Sequence, residues 1–218
     1  MTVPPTTDTT GRPGTRGWAD FFTSGFSGSP VMVIIRGLSP DDAVANAKKA
    51  WACGIRLVEV TMESENGLHA LEAVVRAAAG QHTVGAGTVT TPQRLEAAIA
   101  AGARFGVAPD LATETVRAAE HAGIPFLPGV ATPTEAGQAL RLGVTTVKAF
   151  PASSLGAPWV SALAGPYPDL RVVATGGISA ANAGSFMKAG SLGLGVGQSA
   201  TAGGHLDDTV RAATVRAD

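Results

Sequence analysis

Lys148 is the residue of this sequence best placed to do chemistry. The chain holds four lysines, and Lys48, Lys49 and Lys188 lie on stretches with helical patterning, where exposure to water is ordinary. Lys148 stands instead inside the apolar run Val144-Thr145-Thr146-Val147-Lys148-Ala149-Phe150. An ammonium held there loses hydration, its pKa falls, and a neutral amine able to attack a ketone becomes available. A lysine in such a run can equally snorkel to a rim or pair with a carboxylate. Its companion is Glu59, in Leu57-Val58-Glu59-Val60-Thr61, where a carboxylate is costly unless paired or protonated. Lys148 would supply that pair, and burial would lift the carboxyl pKa toward the range useful for moving protons. A purely structural Lys–Glu ion pair is the bland alternative.

Two glycine-rich segments suit an anion. Thr175-Gly176-Gly177-Ile178-Ser179 runs from an apolar stretch into an Ala-rich one and offers backbone N–H groups at the positive end of a helix dipole. Gly195-Val196-Gly197-Gln198-Ser199 repeats the arrangement. Each glycine cluster alone is weak, because tight turns need glycine anyway.

The elements that would position these residues follow a repeat. From residue 31 onward, short β-branched runs alternate with Ala-rich amphipathic stretches. The runs are Val31–Ile35, Ile55–Val60, Thr83–Ala86, Arg104–Val107, Pro125–Leu127, Thr145–Ala149, Arg171–Ala174 and Leu192–Val196. Several are apolar on both faces, as in a parallel sheet covered on both sides. Gly54, Gly80, Gly102, Gly123, Gly143 and Gly190 each close an Ala-rich stretch, as left-handed helix C′ glycines do. Their intervals are nearly regular, with the last one doubled. Ser39-Pro40, Thr91-Pro92 and Thr132-Pro133 read as N-caps followed by a first-turn proline.

Eight such units predict an α/β fold of the (β/α)8 TIM-barrel class, with an extra helix from Trp18 to Phe26 over the barrel floor. A doubly wound open sheet lacks support, because no G-x-G-x-x-G follows the first strand. In a barrel the chemistry gathers where strands end. Those ends carry Arg36, Glu59 with Thr61, Thr88, Pro109, Thr132, Lys148, Thr175-Gly176-Gly177, and Gly197 to Ser199. The two glycine segments then fall on the seventh and eighth units, where barrels often hold phosphate.

The 218 residues suit one domain. Residues 1–17, rich in Thr, Pro and Gly, read as a flexible tail, and residues 18–218 as a single catalytic barrel. A formal net charge of −1 gives no electrostatic case for nucleic acid or an anionic membrane. No apolar run is long enough for a signal peptide or a membrane helix, so a soluble, cytoplasmic protein is expected. The single cysteine, Cys53, excludes an intrachain disulfide and reads as a packing residue. The four histidines, His69, His82, His121 and His205, are scattered without metal-ligand spacing, so neither metal nor cofactor is expected.

Taken together, Ile34-Ile35-Arg36-Gly37, Val58-Glu59-Val60-Thr61, Val84-Gly85-Ala86-Gly87-Thr88-Val89, Pro128-Gly129, Lys148-Ala149-Phe150-Pro151-Ala152 and Thr175-Gly176-Gly177-Ile178 resemble the bacterial 2-keto-3-deoxy-6-phosphogluconate aldolase family. That family includes 4-hydroxy-2-oxoglutarate and 2-keto-3-deoxy-6-phosphogalactonate aldolases. The resemblance runs from about residue 18 to 205, and its G-A-G-T and K-x-F-P pair is the specific part. It implies that Lys148 forms a Schiff base and Glu59 is the general acid/base. Thr88 and Thr175 would line the pocket, and Gly176, Gly177 and Ser199 would hold a distal phosphate. Cleavage would give pyruvate and an aldehyde, usually glyceraldehyde 3-phosphate, without a metal. A homotrimer is the assembly the resemblance implies.

Two departures bear on substrate. Many relatives carry R-T-E just after the glutamate strand, with the arginine on the substrate carboxylate. Here the segment is Thr61-Met62-Glu63-Ser64-Glu65, an acid where that cation would stand, so Arg36 becomes the candidate carboxylate partner. Ala108-Pro109-Asp110 replaces the usual S-P-G or T-P-N and puts an extra acid near the mouth. Other readings remain open: another phosphate-binding barrel, such as a pentulose-phosphate epimerase or a thiamine phosphate synthase-like enzyme, or a non-catalytic barrel binding an acidic metabolite. An epimerase would need metal-binding histidines at strand ends, and the sequence places none there.

Overall fold

The computed structural model describes residues 14–197 and 206–214. Among these, nine parallel strands form one sheet. They are β1 (Val31–Ile35), β2 (Leu57–Thr61), β3 (Thr83–Gly87), β4 (Gly106–Val107), β5 (Phe126–Leu127), β6 (Gly129–Val130), β7 (Thr146–Ala149), β8 (Arg171–Thr175) and β9 (Gly193–Val196). β1 pairs with both β2 and β9, and the order runs β5-β4-β3-β2-β1-β9-β8-β7-β6. The two outermost members are halves of a single barrel strand broken at Pro128, so the sheet closes into the expected eight-unit barrel.

That break departs from the sequence expectation of one short fifth strand ending at Leu127, and proline explains it. Pro128 has no N–H for the ladder, but its carbonyl still accepts from the Lys148 N–H at 2.8 Å, while Leu127 accepts from Ala108 at 3.1 Å. One strand thereby serves both neighbours on either side of an interruption.

The helices between strands are α2 (Pro40–Ala52), α3 (Glu65–Ala78), α4 (Pro92–Ala100), α5 (Thr113–Ala122), α6 (Pro133–Arg141), α7 (Ala152–Leu155), α8 (Ala157–Leu163) and α9 (Ala180–Lys188). The doubled glycine interval holds two units, with α7 and α8 as the helical part of the first and α9 as that of the second. Punctuation follows the local chemistry. Ser39, Thr91 and Thr132 side chains each accept an N-terminal backbone N–H, with proline in the first turn. The six closing glycines all have positive φ, between +68° and +97°. Thr132 and Glu135 form a full capping box, and Glu135 Oε2 also accepts from the Ala131 N–H. Those bonds hold the Glu135 carboxyl below its ordinary range.

The floor helix α1 spans Thr15–Gly25 and begins three residues earlier than expected, with Gly14 as its N-cap. Trp18 and Phe22 are buried; Phe22 meets Phe105 edge-on at 5.9 Å, and Trp18 meets Phe126 at 6.4 Å. Gly85 and Gly106 make room for this aromatic layer, since a Cβ on either would overlap the Phe105 or Phe126 ring. A final helix, α10 (Leu206–Thr214), packs on α9. Among the described residues no helix is long and apolar enough to cross a membrane.

Candidate active site

The barrel brings the expected residues to one end, where each strand runs out. Arg36 follows β1 directly, Glu59 lies within β2, Thr88 follows β3, Pro109 follows β4, Lys148 lies within β7, Thr175 ends β8, and Gly197 follows β9. Ser199 lies outside the described residues.

Lys148 and Glu59 are both inside. Lys148 is 4% exposed and Glu59 0%. Neither Glu59 carboxylate oxygen accepts a hydrogen bond among the described residues. Burial drives each group toward its neutral form. It pushes the Glu59 pKa up, opposed by the charges of Lys148 and Arg36 and reinforced by Glu63. It pulls the Lys148 pKa below the ordinary 10.5, opposed by the Glu59 charge and reinforced by Arg36. Each charge opposes the shift of the other group, and burial brings the neutral amine and the neutral carboxyl within easier reach than they are in water. That combination offers a nucleophile and a proton donor together. The Lys148 Nζ lies 5.0 Å from the centroid of the Phe150 ring, which walls the amine on one side.

Gly87 explains how β3 accommodates Glu59. A Cβ at that position would overlap the Glu59 Oε1 and come within 2.7 Å of Cδ. The carboxyl group occupies the space a side chain would otherwise fill. Gly87→Ala is expected to cost about 1–3 kcal/mol from overpacking and to swing the acid away from Lys148. Thermal melting and turnover check this; an alanine variant as stable and active as the parent contradicts the packing.

Thr88 holds a conformation that β-branched residues avoid, with φ +60°. Such a residue persists only where its surroundings over-determine it, at roughly 1–3 kcal/mol. Here Arg36 Nη2 donates to Thr88 Oγ1 at 3.3 Å, and Arg94 Nη1 donates to its carbonyl at 3.0 Å. Arg36 also pairs with Glu63, Nη1 to Oε1 at 3.3 Å. The acid expected to repel a substrate carboxylate is thus bonded to the cation expected to attract it.

Pro109 contributes backbone: its carbonyl occupies the space that a Cβ on Gly129 would need, and Gly129 is the β6 residue in register with Lys148. Thr175 points into the barrel, where a Cβ on Gly195 would come within 2.5 Å of its Oγ1. That buried hydroxyl has no hydrogen-bond partner among the described residues. Gly176 and Gly177 adopt φ +96° and +73°. They lie against Phe150 and Ser153: a Cβ on Gly176 would meet the Phe150 ring at 3.1 Å, and one on Gly177 would overlap the Ser153 hydroxyl. The Ser179 amide, by contrast, is taken by Asn182 Oδ1 at 2.9 Å. The Ser179 N–H is therefore satisfied within its own helix start.

Sequence reasoning did not find the roles of Gly87, Phe150, Arg94 and Ser153. Gly87 and Phe150 stood inside the quoted motifs, where their spacing from Thr88 and Lys148 was the available signal. Arg94 and Ser153 gave none. Among the described residues no cluster of three or more His, Cys, Asp or Glu could hold a metal ion.

Fold and site define a class: a parallel barrel that sets a dry amine and a buried carboxyl group at the outlet of its strands. The family model for KDPG and KHG aldolases (2-keto-3-deoxy-6-phosphogluconate and 4-hydroxy-2-oxoglutarate) matches residues 24–211. The 2-dehydro-3-deoxy-6-phosphogalactonate aldolase of Escherichia coli is 34% identical over 77% of this chain and 82% of its own. The KHG/KDPG aldolase of the same organism is 35% identical over 77% and 78%. In structure, the KDPG aldolase of Legionella pneumophila, solved with pyruvate captured as a covalent carbinolamine, superposes with a TM-score of 0.77 at 29% identity. That superposition covers 90% of this chain and 98% of the other. This chain belongs to the KDPG and KHG aldolase family.

Proposed function

We propose that the chain is a class I aldolase in which Lys148 is the nucleophile and Glu59 the proton carrier. The single observation that carries this reading is the burial of both groups at one barrel end, with the amine pKa lowered and the carboxyl pKa raised. The Lys148 Nζ adds to the keto carbon of a 2-keto acid, forming a carbinolamine. Loss of water, with a proton from Glu59, gives the protonated imine. Glu59 then takes the proton of the C4 hydroxyl. The C3–C4 bond breaks, its electron pair passes to the iminium nitrogen as an enamine, and an aldehyde leaves. Protonation at C3 and hydrolysis release pyruvate and restore the amine.

Arg36, next to Thr88, is the proposed anchor of the substrate carboxylate. Thr175 lines the pocket. Gly176, Gly177 and Gly197 are the proposed phosphate contacts, with Ser199 assigned beside them on sequence grounds. The substrate class is a 2-keto-3-deoxy-6-phospho sugar acid or a related 4-hydroxy-2-oxo acid; the relatives' names and the glycine pair at the seventh unit support it. A homotrimer is the proposed assembly, on family resemblance alone. Light scattering should return three times the 21.8 kDa chain mass.

The test is reductive trapping. Incubation with pyruvate and cyanoborohydride should add one reduced pyruvate, located on Lys148 by peptide mass spectrometry. An unlabelled protein, or label on another lysine, removes the assignment. A panel of phosphogluconate-type, phosphogalactonate-type and unphosphorylated acids, read as kcat/KM ratios, then ranks substrates. Chelator should leave cleavage unchanged; complete loss would point to metal-assisted chemistry. Arg36→Ala should raise KM for the keto acid about 10- to 100-fold, as expected for losing a hydrogen bond between charged groups. An unchanged KM places the carboxylate elsewhere.

A further inference from the structure

We infer that Glu63 is a specificity residue, a built-in carboxylate that competes with the substrate's own carboxylate for Arg36. This rests on the reading of Arg36 as the carboxylate anchor. Arg36 follows β1 and Glu63 lies two residues beyond β2. The strands pair in register through Ile35 and Val60, so both side chains leave adjacent strands at the same barrel end. There the Arg36 Nη1 meets Glu63 Oε1 at 3.3 Å, while Nη2 bonds Thr88 at 3.3 Å. The Arg36 side chain is 53% exposed and that of Glu63 34%, so a solute can reach both.

The chemistry of the competition is simple. A 2-keto acid brings the same functional group that Glu63 already presents, and Nη1 cannot serve both carboxylates in full. The ligand must either displace Glu63 or bind beside its negative charge. Both routes weaken binding of a carboxylate-bearing ketone, whereas a neutral ketone encounters neither. The pair also acts on the reacting groups, since Glu63 and Arg36 bias the Glu59 carboxyl in opposite directions. Glu63 therefore offsets part of the Arg36 charge at this end of the barrel.

Trapping with pyruvate and cyanoborohydride, run on the full chain over a range of pyruvate concentrations, tests this. Glu63→Gln keeps the side-chain shape and removes the charge. It should lower the half-saturating pyruvate concentration about two- to fivefold, the range set by a solvent-screened ion pair. The maximal trapping rate should change less than that concentration does. Methyl pyruvate, which lacks the charge, should show no such change, and Glu63→Asp should fall between the parent and Gln. Half-saturation by pyruvate that is unchanged or higher in Glu63→Gln overturns the inference, as does an equal gain for the neutral ester. Absence of any adduct in the parent protein removes the aldolase reading as well. Normal labelling with no difference between parent and variant removes this inference alone.

Discussion

Lys148→Met should lose cleavage and pyruvate trapping completely while the barrel remains folded. Removing a covalent nucleophile typically costs on the order of 10^4-fold or more in turnover, because no other group can form the intermediate that accepts the electron pair. Methionine keeps the length of the stem and the contact with Phe150 but discards the amine. The stability consequence has a definite sign. The unfolded chain holds Lys148 as an ammonium up to about its ordinary pKa of 10.5, whereas burial in the folded chain disfavours the ammonium and lowers that pKa. The unfolded state thus binds the extra proton, so the lysine disfavours folding at neutral pH, and that penalty shrinks as pH rises toward 10.5. The variant should therefore melt no lower than the parent, with its advantage larger at neutral pH than in alkali. Retained turnover would refute the nucleophile. A strongly lowered melting temperature would mean that the amine is structural.

Much of this site was legible in the sequence because charge inside an apolar run is a conspicuous violation of pattern. Lys148 and Glu59 both broke an otherwise apolar strand, and both are buried in the barrel. The fold was legible for a related reason: Ser39, Thr91 and Thr132 caps and the six positive-φ glycines mark helix ends by local backbone chemistry, which needs no tertiary information. What escaped depended on register. Gly87 matters only because the Glu59 side chain, whose own register partner is Gly85, reaches along β3 to the space beside Gly87, and the continuation of the fifth strand past Pro128 depends on β7 being there to pair with it. The Thr88 conformation was not legible, because a threonine there gives no hint of a positive φ that two arginines help to hold. Glu63 was conspicuous in the sequence as a misplaced charge, but its partner was a matter of side-chain geometry that only the fold could fix.

Glu59→Gln should separate the two halves of the chemistry. The amide keeps the volume beside Gly87 but cannot exchange a proton at the substrate. Loss of a general acid/base typically costs about 10^2- to 10^4-fold, so cleavage should fall by that much. Pyruvate should still be trapped on Lys148, more slowly, because imine formation can draw protons from water. The pH dependence carries the sharper signature. Trapping needs the free amine, so its rate rises with pH through the Lys148 pKa. The Glu59 charge is the influence that raises that pKa against burial, while Arg36 lowers it. Removing the carboxylate must then move the acid limb of the trapping profile to lower pH, and Arg36→Ala must move it to higher pH. Opposite displacements by two substitutions around one amine are hard to obtain from a general loosening of the barrel, which would shift both profiles the same way. If both limbs move together, or neither moves, then Lys148 and Glu59 are not coupled, and the proton carrier has to be sought in a bound water or in the substrate itself.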